Sequence, residues 1–104
     1  MVSEDEEENN DWVAVLIFEY IRLRFVEDRA NLFLDVGLIF EPDVWHELGP
    51  VLSLVKEKLK MEGDIRVKNN DKSLKALLVK YLDELLALAK TNEFREAVSS
   101  LKSI

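Results

Sequence analysis

Trp12 to Phe18 form an unbroken apolar run, and Tyr20, Ile21, Leu23, Phe25 and Val26 prolong it with only Glu19, Arg22 and Arg24 between them. A surface helix keeps a polar face, so a segment with almost none in its first two turns reads as an element buried on nearly all sides. The competing reading is a buried strand, since VAVLIF is rich in β-branched and aromatic residues. Length favours the helix: the apolar content persists for about fifteen residues without a turn signal, beyond the ~4–8 of a usual strand. Asp11 suits the N-cap, so a first helix is expected from there to Val26 or Asp28.

Residues 29–40 carry two patterns. Leu32, Leu34, Val36, Leu38 and Phe40 alternate as a strand does, while Leu32, Val36, Ile39 and Phe40 make a helical stripe with Phe33 and Gly37 beside it. A second helix is favoured, because the only visible partner strand is the short, charged Ile65-Arg66-Val67. Glu41-Pro42-Asp43 marks a boundary, and Gly49-Pro50 an interruption, so a short helix at about 42–48 should kink or restart and run to about Met61. Leu48, Leu52, Val55 and Leu59 then form a core stripe opposite Ser53, Lys56, Glu57 and Lys60. Gly63 is the expected left-handed cap.

Residues 64–71 read as a polar loop. Asp71 or Ser73 can cap a long helix over about 72–90, in which Leu74, Leu78, Tyr81, Leu85 and Leu88 are spaced 4-3-4-3. Thr91-Asn92 breaks that run and can cap a terminal helix, 92–102, with Phe94, Ala97, Val98 and Leu101 at core spacing. The pattern therefore predicts an all-α fold. Four to five helices form one compact bundle over 11–104, behind a disordered acidic tail over 1–10.

Composition agrees with a single folded domain. Of 104 residues 48% are hydrophobic and 34% charged, and three Gly and two Pro are too few for a sandwich of many short strands. The absence of Cys excludes a disulfide scaffold, a thiolate metal site and a cysteine nucleophile. The apolar run is too short to span a bilayer, which takes ~20 residues. The N-terminus is acidic where a signal peptide is basic, so the cytoplasm is the expected compartment. Charge is unevenly placed: residues 1–47 hold 13 acids against 3 bases, whereas residues 48–80 hold 4 acids against 8 bases.

Catalytic chemistry finds little foothold. His46 is the only histidine. Asp43 and His46 have the carboxylate-x-x-His spacing of a metal-binding helix, but such a site also needs glutamates from other helices, for which Glu19 and Glu27 are the nearest supply, and a second such motif. No serine lies in a nucleophile elbow, no glycine loop is built for phosphate, and Glu27-Asp28 and Asp83-Glu84 diverge around a helix. No enzyme activity, metal, cofactor or small-molecule substrate is expected.

The surplus of apolar surface is the stronger signal. One chain of this size cannot easily cover a helix that is apolar all round. The expected function is a non-catalytic protein–protein interaction module, such as an adaptor, a small subunit or an inhibitor of a larger complex. It should form a homodimer through Trp12, Phe18, Ile21, Phe25 and Trp45. The alternative is a nucleic-acid-associated regulator. It would use Lys56, Lys60, Arg66, Lys68, Lys72 and Lys75 on the basic 56–80 segment for phosphate contacts, with the acidic tail as an electrostatic brake.

Overall fold

The computed structural model describes residues 12–29, 31–63 and 65–104. The acidic tail and the proposed N-cap Asp11 lie outside the described residues. Where four to five helices were expected, the chain makes strands in its first half and helices in its second. In order these are β1 Trp12–Ile17, β2 Ile21–Asp28, β3 Asn31–Leu38, β4 His46–Glu47, α1 Leu48–Leu59, α2 Asp71–Ala89 and α3 Asn92–Ser99. The strands form one antiparallel sheet in the order β1-β2-β3-β4. The all-α helical bundle is thus replaced by a mixed fold, one sheet backed by one layer of helices.

The first helix fails at a turn that carries no turn residue. Phe18 N–H donates to Ile21 O at 2.8 Å, closing a tight hairpin around Glu19-Tyr20, where neither Gly, Pro nor Asn announces it. Beyond it, Ile21-Arg22-Leu23-Arg24 alternates strictly, with Ile21 and Leu23 at 1% exposure and the two arginines half-buried on the other face. The second turn is equally unsignalled, for Arg29 adopts the left-handed region at φ 52° without being glycine. Residues 29–40 therefore do have a partner strand, namely the segment just before them. Asp28 pairs with Asn31 and Ile21 with Leu38.

The helical half follows its pattern more closely. Leu48, Val51, Leu52 and Val55 bury the core face of α1, while Leu59, expected in that stripe, stays exposed. Residues 42–45 are not helical; the segment turns and enters β4. Gly49-Pro50 does not interrupt the helix but lies in its first turn, where a missing N–H costs nothing. The left-handed cap falls on Lys60 (φ 55°), ahead of Gly63. Asn70, rather than Asp71 or Ser73, caps α2 by accepting from Ser73 N–H at 2.8 Å, and Thr91 caps α3 by accepting from Phe94 N–H at 3.3 Å.

The core is the contact between the helices and one face of β2, β3 and β4. Leu32, Leu34, Val36 and Leu38 of β3 meet Leu52 and Val55 of α1, Leu74, Tyr81 and Leu85 of α2, and Phe94 and Val98 of α3. Each such side chain contributes about 1.5–3 kcal/mol. His46 joins this face opposite Val36, buried to 1% exposure, with Nδ1 3.3 Å from Lys102 O.

The other face is closed by a polar clasp. Arg22 donates to the carbonyls of Glu41, Pro42 and Val44, and Arg24 forms an ion pair with Asp35 at 2.7 Å. Both guanidinium carbons lie over the Trp45 ring, at 4.2 and 4.4 Å from its centroid. Gly37 stands opposite Arg22, and a Cβ there would come within 2.6 Å of Arg22 Nη2 and 2.9 Å of Val44 O. Gly37→Ala should therefore cost about 1–3 kcal/mol in urea denaturation, because backbone must shift to admit it. Gly49→Ala, whose added Cβ meets only Val67 Cγ2 at 3.7 Å, should be neutral or stabilising by up to ~1 kcal/mol.

Lys58 and Glu93 tie α1 to α3, and the hydrogen bond and charge of Lys58 hold the Glu93 carboxyl below its ordinary value of 4.5. A depressed carboxylate stabilises the fold above its unfolded pKa and loses that contribution as pH falls through the folded one. Glu93→Gln should flatten the part of the acid stability curve below about pH 4.5, as read by denaturation at successive pH values.

Candidate interaction surface

All six residues of β1 are exposed, although none carries a charge and only Trp12 has a polar side-chain atom. Trp12 is 45% exposed, Val13 62%, Val15 44%, Leu16 48% and Ile17 72%. A continuous apolar run is the composition of a strand buried on both faces in the middle of a sheet. Here it occupies an edge. The helices pack over β3 and β4, and β1 packs chiefly against β2.

The ladder determines which backbone groups face outward. In an antiparallel pair, alternate residues direct both N–H and C=O to the partner strand. The Phe18–Ile21 bond places Phe18, Leu16, Ala14 and Trp12 in that class, opposite Ile21, Leu23, Phe25 and Glu27. Val13, Val15 and Ile17 consequently turn their N–H and C=O groups away from β2. Their side chains lie on the face with Val26, Arg24 and Arg22, whereas Trp12, Ala14 and Leu16 lie on the helix side.

Two grooves on the helix side show how far α2 falls short of β1. One, of about 530 Å³, lies between Trp12, Phe25 and Leu32 of the sheet and Leu74 and Leu78 of α2. The other, of about 250 Å³, lies between Phe18, Tyr20 and the Leu86–Lys90 end of the same helix. The hairpin between them is pinned by Arg95, whose guanidinium stacks on Tyr20 at 4.6 Å and donates to Ala89 O at 2.8 Å.

The five residues expected at an interface are dispersed by this arrangement. Trp12, Phe18 and Phe25 gather on the helix side near β1; Trp12 Nε1–H donates to Glu27 at 3.0 Å. Ile21 is sealed in the core, and Trp45 is held on the opposite face beneath Arg22 and Arg24. Val13, Val15, Leu16 and Ile17 were missed as surface residues. Their signal is the lack of any charged position in the run, a pattern that a buried helix and an exposed edge strand share.

The basic residues are spread along the chain's turn from α1 to α2. Lys56 lies on α1, Lys60 at its cap, Arg66 and Lys68 in the connection, and Lys72 and Lys75 in the first turns of α2. Lys75 pairs with Asp71 at 3.3 Å, and Lys58 with Glu93. His46 points into the core rather than to Asp43, which is exposed. Among the described residues no group of three or more His, Asp or Glu is placed to hold a metal ion, and no helix is long and apolar enough to cross a membrane.

The sheet interior and its edge should respond oppositely to substitution. Arg24→Leu leaves the Asp35 carboxylate, 8% exposed, without its cation and should cost about 2–3 kcal/mol. Ile17→Thr, at 72% exposure, should change the stability of the single chain by less than ~0.5 kcal/mol; urea melts of the two variants at well below about 1 µM protein make the comparison. Comparison of the chain with family models, with curated proteins and with solved structures returns no match.

Proposed function

We propose that this chain is a non-catalytic protein-interaction module that docks through β1. The observation that carries the reading is a six-residue apolar strand exposed on both faces at the edge of the sheet. A partner strand laid against it would take up the outward N–H and C=O groups of Val13, Val15 and Ile17, giving register and direction. Affinity would come from covering Val13, Val15 and Ile17 on one face and Trp12, Ala14 and Leu16 on the other, at about 25 cal/mol per Å² before the cost of association. A chain without cysteine suits a reducing cytoplasmic setting, since its cohesion asks nothing of disulfides.

A photo-crosslinking residue in place of Val15, in the full chain within its native cells, tests this reading. A discrete protein adduct is expected there, whether with another copy or with a different protein. None is expected from the same probe at Val79, which is 88% exposed on α2. Equal labelling at the two positions, or none at Val15, would remove β1 as the docking element.

A further inference from the structure

Resting on the reading of β1 as a docking strand, we infer that its occupant is a second copy of this chain. The two copies join β1 to β1 about a two-fold axis through Val15, forming one continuous eight-stranded antiparallel sheet. Three independent features of β1 lead to this partner and this register.

The first is geometry. A two-fold that sets identical edge strands side by side and antiparallel runs perpendicular to the sheet, so helix-side residues must oppose helix-side residues. Opposed positions therefore share parity, and the axis passes at a residue, not between two. The outward backbone groups belong to Val13, Val15 and Ile17. With the axis at Val15, Val15 pairs with itself and Val13 with Ile17, so every one of those groups is used, in about six inter-chain hydrogen bonds. Shifting the axis to Ala14 leaves the groups of Ile17 without a partner among the described residues of β1.

The second is side-chain complementarity in that register. On the open face Val15 meets Val15 and Val13 meets Ile17, all β-branched. On the helix side Ala14 meets Leu16, small against large, and Trp12 meets Phe18. That aromatic pair is a favoured cross-strand contact and occurs twice by symmetry. Trp12 lines the 530 Å³ groove and Phe18 the 250 Å³ groove, so each copy brings the partner's aromatic ring to the mouth of its own cavity. No charged side chain of β1 is opposed, because the strand has none.

The third is the contrast between the two edges. Strand edges open to solvent are ordinarily guarded by charge, proline or brevity. The β4 edge is two residues long and is flanked by the C-terminal segment, with Ile104 N–H donating to Trp45 O at 2.8 Å and Lys102 O beside His46. Among the described residues β1 has no such guard. Covering its faces and edge in two copies buries on the order of 1,000 Å² in total, the lower bound for a specific interface, so the dimer should be a dissociating one.

The chain's lack of cysteine makes the register directly readable. In the inferred dimer the two Val15 Cα atoms stand about 5.5 Å apart, inside the ~4.4–6.8 Å that a disulfide spans. Val15→Cys, its fold checked by circular dichroism, should oxidise to a covalent dimer at least ~10-fold faster than Val79→Cys. Val13→Cys alone should not, its copies lying ~13 Å apart along the strands, whereas an equimolar mixture of Val13→Cys and Ile17→Cys should cross-link. Sedimentation of the wild type between about 1 and 100 µM should show a monomer–dimer equilibrium that Val15→Lys abolishes.

A Val15→Cys rate no greater than that of Val79→Cys, or a wild type monomeric throughout that range, would overturn self-pairing. Those failures leave docking through β1 intact if the photo-probe at Val15 still gives its adduct with a different protein. Absence of that adduct as well would remove both.

Discussion

One layer of three helices can cover only one face of a four-stranded sheet, and here that layer is centred on β3. Much of the molecule follows from this placement. The face of β2 and β3 under the helices is aliphatic and nearly dry, from Ile21 and Leu23 to Leu38. Covering it leaves two liabilities: an open face across the sheet, and a first strand reached only by the margin of α2. The chain meets the two in different ways.

The open face is made tolerable by polar side chains that bind one another. Arg22 reaches three carbonyls of the 41–45 connection, Arg24 neutralises Asp35, and Trp45 lies beneath both guanidinium groups. Gly37 is part of this device because Arg22 crosses its backbone, where a side chain would stand. Phe33, 36% exposed, and Ile104, 66% exposed, border the clasp, but its centre is polar. On β1 the opposite holds: no charge rises from the strand, and its apolar side chains remain in contact with solvent on both faces. A strand of that composition at an edge is a ready template for pairing with another strand.

The surplus of apolar surface was legible in the sequence, but the element that carries it was not. Trp12 and Phe18 lie beside the exposed strand, whereas Ile21 does not, since one residue beyond the hairpin the chain passes under the helices. Trp45 escaped for another reason: its stacking on Arg22 and Arg24 joins residues more than twenty positions apart, which no local pattern records. The helix-or-strand decision for 12–28 turned on a two-residue hairpin at Glu19-Tyr20. Without a turn residue there, two strands of six and eight residues merged into one long apolar stretch.

By itself the sequence determined the helices of the second half and the cap at Thr91, while Asn70 took the place expected of Asp71 or Ser73. Their stripes recur every three to four residues, and Asn70 and Thr91 satisfy backbone N–H groups within three positions. Those are local interactions, written in neighbouring residues. It also showed that residues 12–18 carry no charge, so they supply apolar surface whichever element they form. What only the tertiary structure decided was which element they form and where it lies. Strand pairing joins residues through hydrogen bonds whose register depends on the turns, and neither Glu19-Tyr20 nor Arg29 is a residue type that marks a turn. That pairing set β1 at the edge, beyond the reach of the helices, so among the described residues its apolar side chains stay exposed.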